Sequence, residues 1–255
     1  MRSAIFLALV ASFAHATPPM SFNCADGMQD ICDNMCWGAY CTEPSFGVTL
    51  NYDNYGGSGD RKGSVGKSRT DSAGCTPNPN RCSTKHNPPN PKAGENCDEY
   101  PFASTKDADK GGQVTKCVIS RHNSRQGKII KDYVQSSCGG KPCTFIVGFG
   151  NPAASGVKYC MAYQDRYNKC VPDQTIFKNG KPDIRPPKSK RDLDNSTATI
   201  PGGLYLLKSG MKVAFGEHLD IGTLTKRAEP RNATLARRED IAWDFHDDEI
   251  VARLE

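Results

Sequence analysis

Two short polar segments of the chain hold side chains that could activate water and bind a cation. Residues 97–104 have the sequence CDEYPFAS, and residues 120–127 have the sequence SRHNSRQG. A carboxylate can take a proton from water, and carboxylate and amide oxygens are the hard donors that Mg²⁺ or Mn²⁺ prefers. Asp98 is therefore a candidate base or metal ligand, and the side-chain oxygen of Asn123 is a candidate metal ligand.

Basic and amide side chains surround the second segment and could bind phosphate groups. A helix that begins near Gly127 would also direct its free N–H groups toward an anion. A base, metal donors and anion-binding groups together favour metal-assisted hydrolysis of a phosphodiester bond. The candidate substrate-binding residues are Arg121, Arg125, Gln126 and Lys128, with Lys131 nearby.

The two segments, in this order, resemble the NucA/NucB-type secreted deoxyribonucleases. The resemblance spans roughly residues 97–149 and leaves out both ends of the chain. It implies a compact strand-strand-helix metal site, in which a base on the first strand faces an asparagine ligand at the helix. Carried over to this chain, it makes Asp98 the base and Asn123 the ligand.

Two further candidates for catalysis are Glu99 and His122. Within a strand, the side chains of Asp98 and Glu99 would face opposite sides, so that only one enters the site. At a strand end both could enter, and Pro101 is compatible with such an end. His122 stands where the family carries an acid, and it could act as an auxiliary base or bind phosphate when protonated.

The pattern around these segments predicts an α+β fold with long irregular loops. Val114–Ile119 is rich in β-branched residues and is predicted to be a strand. A polar loop is expected at 120–127, an amphipathic helix at 128–137 and a second buried strand at 143–149. Function often lies on a loop that a strand and a helix position.

The cysteines predict a disulfide-stapled domain. Twelve cysteines lie between positions 24 and 170, and an even number in an oxidising compartment favours six disulfides over zinc sites. Their spacing leaves the pairing open. They are Cys24, Cys32, Cys36, Cys41, Cys75, Cys82, Cys97, Cys117, Cys138, Cys143, Cys160 and Cys170.

The remaining sequence predicts how the 255 residues are divided. Residues 1–16 are typical of a signal peptide, with a short apolar run before Ala-His-Ala. Residues 17–170 form the predicted nuclease-like domain, with an irregular arm at 17–45 and long loops at 51–92. A linker follows at 171–199, then a possible strand hairpin that docks on the core at 200–225, and a flexible charged tail at 226–255.

Asn195 and Asn232 begin Asn-X-Thr/Ser sequences and are predicted glycosylation sites in the last third. Residues 17–170 hold 18 basic and 14 acidic side chains, and a basic excess suits a polyanionic partner. Because every cysteine and motif residue precedes Val171, we expect residues 17–178 to fold and act without the tail.

These features predict a secreted, metal-dependent endonuclease that acts on DNA. Activity on RNA as well is left open. The protein is expected to be a monomer without membrane association. The alternative is a non-catalytic, secreted, cysteine-rich surface-binding or effector protein. Such a protein has no need for Asp98 and Asn123 and would not cleave DNA.

Overall fold

The computed structural model describes residues 17–25, 27–54, 65–76, 81–83, 95–184, 202–230 and 243–254. The predicted signal peptide and both glycosylation sites, Asn195 and Asn232, lie outside these residues. The described chain contains a small sheet covered by two helices and a larger closed sheet, and six disulfides staple it. A disulfide-stapled α+β fold is therefore confirmed.

The helices and strands follow one another along the chain with these bounds. They are β1 (Met20–Asn23), α1 (Gln29–Cys36), β2 (Thr49–Tyr52), α2 (Val65–Ser72), β3 (Glu95–Tyr100), β4 (Val114–Ile119), α3 (Ser120–Ser137), β5 (Cys143–Gly150), α4 (Arg166–Lys169), β6 (Ile176–Lys178), β7 (Lys181–Pro182), β8 (Gly203–Leu207), β9 (Lys212–Phe215), β10 (Leu224–Pro230) and β11 (Trp243–Arg253). A π-helical turn, Trp37–Cys41, continues α1, and a 3₁₀ turn, Lys106–Lys110, follows β3.

The small sheet has the antiparallel order β3-β4-β6-β7, so β3 is an edge strand. Helices α1 and α3 both contact β3 and β4. The apolar side chains of α3 are buried at Ile129, Ile130, Tyr133 and Val134, which recur at helical spacing. These two helices and two strands enclose the candidate site.

The larger sheet has the order β1-β10-β11-β8-β9-β5-β2, and β1 also pairs with β5, so the sheet closes on itself. Phe145, Val147 and Phe149 of β5 alternate along one face of the strand and are buried in the core that α1 and α3 also line. Gly148 lies between them, and a β-carbon there would come within 2.2 Å of the Phe215 ring. Glycine at this position therefore lets β9 pack directly on β5.

All twelve cysteines are paired, and none is free. Cys97 and Cys117 lie opposite each other on β3 and β4, and each is bonded to a cysteine from another segment. The six pairs are Cys24–Cys32, Cys36–Cys160, Cys41–Cys170, Cys75–Cys97, Cys82–Cys117 and Cys138–Cys143. With every thiol oxidised, cysteine zinc sites are excluded.

Several expected irregular segments are regular in the structure. Residues 120–127 are not a loop, because α3 begins at Ser120, and its N-terminus is therefore not near Gly127. Only Gln126 is buried in these first two turns, so no apolar pair reveals them in the sequence. The expected arm at 17–45 contains β1 and α1, and α2 lies within 51–92.

The last third of the chain contains the expected hairpin but differs from expectation in its tail. β8 and β9 form a hairpin, and β9 pairs with β5. Residues expected in the flexible tail form β11 and most of β10, and β10 pairs in parallel with β1. One face of β11 is solvent-exposed and carries charged residues. Its sequence therefore resembled a charged tail. None of the described helices is long and apolar enough to cross a membrane.

Candidate active site

Asp98 lies on β3, against which α1 and α3 pack, and its side chain is almost completely buried, with 1% exposure. Nδ2 of Asn34, on α1, donates to Oδ2 of Asp98 at 2.8 Å and to the Asp98 carbonyl at 3.2 Å. The carboxyl group is thus fixed from a helix 64 residues away in the sequence.

Burial strongly changes the protonation of Asp98. Loss of hydration raises the pKa of this carboxyl well above its usual value, and the nearby charge of Glu99 acts in the same direction. Asn34, Gln126 and Lys116 partly oppose this effect. A carboxylate whose pKa is raised binds a proton more strongly than an exposed aspartate and is therefore the stronger base.

Lys116 lies directly opposite Asp98, on β4. Its ammonium group is 3.3 Å from Oδ2 of Asp33 and 3.4 Å from Oδ1 of Asp30. Asp33 is also buried, and Oδ1 of this residue accepts a hydrogen bond from the backbone N–H of Lys158 at 2.7 Å. The ammonium and two α1 carboxylates therefore form a charge cluster on the same sheet face as Asp98.

Asn123 lies in the first turn of α3 and contacts β3 beside Asp98. Its Nδ2 donates to the carbonyl of Cys97 at 3.1 Å. Because the nitrogen makes this hydrogen bond, the amide oxygen Oδ1 is the atom that is available to bind a cation. The structure therefore brings Asn123 and Asp98 to the same stretch of the edge strand.

His122 is partly buried beside the turn that precedes α1. A β-carbon on Gly27 would lie 3.2 Å from Nε2 of His122. Burial lowers the pKa of His122, and the charges of Arg121 and Arg125 lower it further, while Asp30 acts in the opposite direction. The imidazole is therefore shifted toward its neutral form, which accepts protons and does not bind phosphate by charge.

Glu99 lies within β3 and faces the opposite side of the sheet from Asp98, because neighbouring strand residues alternate. It pairs across the sheet with Thr115, on the face that carries the Cys75–Cys97 disulfide. Pro101 comes after the last residue of β3, so both Asp98 and Glu99 lie inside the strand. The structure thus separates the two adjoining carboxylates that the sequence placed together.

The candidate substrate-binding residues are divided between the surface and the interior. Arg121 is exposed on α3, and its Nε is 3.4 Å from Nε2 of His122. Lys128 is half-buried, and its Nζ lies 3.8 Å from Oδ2 of Asp132. Gln126 is buried near Asp98 instead of lying exposed to substrate, and its Nε2 has no hydrogen-bond partner among the described residues.

The side-chain oxygens at this site suit a hard cation that keeps most of its water ligands, rather than one enclosed by several charged side chains. Within the described residues, no three His, Cys, Asp or Glu side chains are arranged to hold a metal ion. Mg²⁺ commonly keeps several waters and takes only one or two protein carboxylates. One carboxyl, Asp98, and the amide oxygen of Asn123 meet that requirement. Oδ1 of Asn34, next to Asp98, is buried and has no hydrogen-bond partner among the described residues.

Residues 35–144 match the model of the family described as Deoxyribonuclease NucA/NucB. Over this part of the chain, the predicted family is confirmed. The NucA/NucB segment contains β3, β4 and α3 and every predicted catalytic and metal-binding residue. No curated protein and no solved structure matches the chain.

The surroundings of Asp98 include residues that the sequence did not single out. Lys116 and Gln126 lie within the NucA/NucB segment, whereas Asn34 and Asp33 precede its first matched residue. No motif indicated that α1 packs on β3. Only the tertiary contact between these distant segments shows that these residues lie near Asp98.

Proposed function

We propose that the chain is a secreted deoxyribonuclease that hydrolyses phosphodiester bonds within DNA with the help of Mg²⁺ or Mn²⁺. The observation that carries this proposal is the convergence of Asp98 and Asn123 on β3, inside the segment that matches the NucA/NucB family. Full pairing of the cysteines supports an extracellular location, since disulfides persist in oxidising compartments.

In this proposal, Asp98 is the general base. Its raised pKa suits proton transfer from water, and Asn34 holds its carboxyl group in place. His122, shifted toward the neutral imidazole, is available as an auxiliary proton acceptor. Glu99 takes no direct part, because it lies on the other face of β3.

A divalent cation supplies positive charge to the scissile phosphate and its leaving oxygen when it is bound. The side-chain oxygens of Asn123 and Asp98 are the donors that would hold it. Arg121, Arg125 and Lys131 on α3 bind neighbouring phosphates and orient the DNA backbone. Because Asp98 is buried, a covering side chain has to move before the substrate reaches the carboxyl.

The test is a plasmid-nicking assay with the oxidised protein in Mg²⁺ or Mn²⁺, with and without EDTA. Conversion of supercoiled to open-circular DNA that EDTA abolishes is the expected result. Intact plasmid in both metals would reject the proposal. Parallel assays on linear duplex DNA with blocked ends and on RNA test whether cleavage is internal and whether it extends to RNA.

The second candidate function is non-catalytic binding by a secreted cysteine-rich surface or effector protein. The observation that favours it is the nearly complete burial of Asp98, combined with His122 at the position of a family acid. This candidate predicts DNA retention on a filter without nicking in any metal. Nicking by wild type that is lost in Asp98→Asn would reject it.

A further inference from the structure

We infer that Asn34 is a positioning residue of the reaction: its amide nitrogen orients the Asp98 carboxyl, and its amide oxygen accepts a hydrogen bond from the water that Asp98 deprotonates. The inference rests on the proposed hydrolytic function. It adds a residue that lies before the first residue of the family match.

The first observation is the pair of hydrogen bonds that Asn34 makes with one residue. Nδ2 donates at 2.8 Å to Oδ2 of Asp98 and at 3.2 Å to the carbonyl of the same residue. The two contacts fix both the side chain and the backbone of Asp98. A base held in one orientation transfers protons more efficiently than one that rotates freely.

The second observation concerns the other end of the amide. Oδ1 of Asn34 is buried and has no hydrogen-bond partner among the described residues. Buried acceptors are nearly always satisfied, and exceptions often mark a functional group or a site for water. An acceptor beside a carboxyl that can take a proton is suited to hold one hydrogen of a water molecule while the carboxyl removes the other.

The third observation is the rigidity of the helix that carries Asn34. The Cys24–Cys32 disulfide closes the turn before it, and Cys36–Cys160 ties its last residue to a distant segment. Asn34 itself is fully buried. Placement on a helix fixed at both ends gives the amide the precision that catalysis requires.

A purely structural role for Asn34, joining α1 to β3, is the competing explanation. Trp37→Phe provides a matched control, because Trp37 follows α1 and its Nε1 donates to Oδ2 of Asp183 at 2.8 Å in the protein interior. The variant removes one buried hydrogen bond near the end of the same helix without touching Asp98.

The experiment measures kcat and KM for cleavage of a defined duplex by wild type, Asn34→Leu and Trp37→Phe, with melting temperatures for all three. Leucine matches asparagine in shape but can neither donate nor accept. We expect kcat of Asn34→Leu to fall about 10- to 100-fold, as is typical when a group that orients a reacting residue is lost. KM stays within about twofold of wild type, because DNA phosphates bind elsewhere, on α3.

Trp37→Phe is expected to lose thermal stability while keeping the wild-type kcat. The inference is overturned if Asn34→Leu and Trp37→Phe show the same kcat. If Asn34→Leu does not fold, Asn34→Ser replaces it, and a wild-type kcat in that variant also overturns the inference. If the wild-type protein leaves DNA intact, the proposed function itself is rejected. If the wild type and the Asn34 variants are equally active, only the role of Asn34 is rejected.

Discussion

The guanidinium group of Arg125 lies over the indole ring of Trp243, with its central carbon 4.5 Å from the ring centroid. Asp132, two turns later on α3, accepts a hydrogen bond from the backbone N–H of Trp243 at 3.3 Å. The first residue of β11 is thereby fastened to the basic helix of the candidate site. The C-terminal strands are therefore part of the structure that positions α3.

Removal of the chain after Lys178 is expected to prevent folding. β5 would lose its partner β9, and β1 would lose β10, which opens the closed sheet and exposes its apolar interior. This outcome reverses the expectation that residues 17–178 are self-sufficient. Oxidative refolding of residues 17–178 and 17–255 in parallel, followed by circular dichroism and plasmid cleavage, provides the measurement. A soluble, correctly oxidised short chain with full activity would contradict it.

Substitution of Arg125 and Lys131 should separate phosphate binding from packing. Both side chains lie on α3, but Lys131 is exposed whereas Arg125 stacks on Trp243. Each alanine variant is expected to weaken DNA binding and to reduce the slope of log affinity against log salt by about 1. Only Arg125→Ala should also lower the melting temperature. Equal melting temperatures for the two variants would show that the stack contributes nothing to stability.

Asp98→Asn is expected to abolish most of the activity. Asparagine keeps the size and polarity of the residue but cannot take a proton from water, and loss of a general base typically costs about 10²- to 10⁴-fold in rate. Single-turnover cleavage of a defined duplex measures the effect. Glu99→Gln, on the other face of β3, is the control and should remain active. Activity of Asp98→Asn within about threefold of wild type, far below that range, would exclude Asp98 as the base.

The same Asp98→Asn variant should be more stable than wild type at neutral pH. The folded-state pKa of Asp98 is raised, so the folded protein holds this proton more tightly than the unfolded chain does. The favourable contribution of Asp98 is therefore complete below the unfolded pKa of about 3.9 and is lost as the pH rises through the folded pKa. Thermal melts at several pH values should show a gain for the variant that disappears in acid. An equal gain at every pH would contradict this explanation.

Asn123→Ala should impair cation binding and the local structure of β3 together. It removes the Nδ2 bond to the Cys97 carbonyl and the amide oxygen proposed as a metal donor. We expect a large loss of activity in Mg²⁺ that higher Mn²⁺ concentrations partly restore. Combination with Asp98→Asn should add little further loss, because the two residues act as a unit. Full additivity of the two rate losses would indicate independent roles.

The disulfides should differ in importance according to the length of chain that they close. Cys36–Cys160 spans 124 residues, whereas Cys138–Cys143 spans only 5. Removal of a native disulfide from a small secreted domain typically costs about 2–5 kcal/mol, with longer loops contributing more. Replacement of Cys36 and Cys160 by alanine should therefore lower the melting temperature more than the same change at Cys138 and Cys143. The reverse order would contradict the loop-length argument.

The sequence by itself indicated the NucA/NucB resemblance over part of the chain, the candidate residues and the local elements with strong periodicity. β4 has the bounds that its β-branched residues predicted, and the apolar pairs of α3 correctly indicated a helix over 128–137. These features depend on the spacing of neighbouring side chains, which the sequence states directly.

The tertiary structure decided which of those residues lie close together. Alternation along β3 turned Asp98 toward α1 and α3 and Glu99 away from them, a choice that depended on whether the strand continued past position 99. Asn34 joined Asp98 because α1 packs on β3, and β11 reached α3 because both elements pack against the same hydrophobic core. Such contacts join segments far apart in the sequence and are fixed only when the whole chain buries its apolar surface, so no local pattern records them.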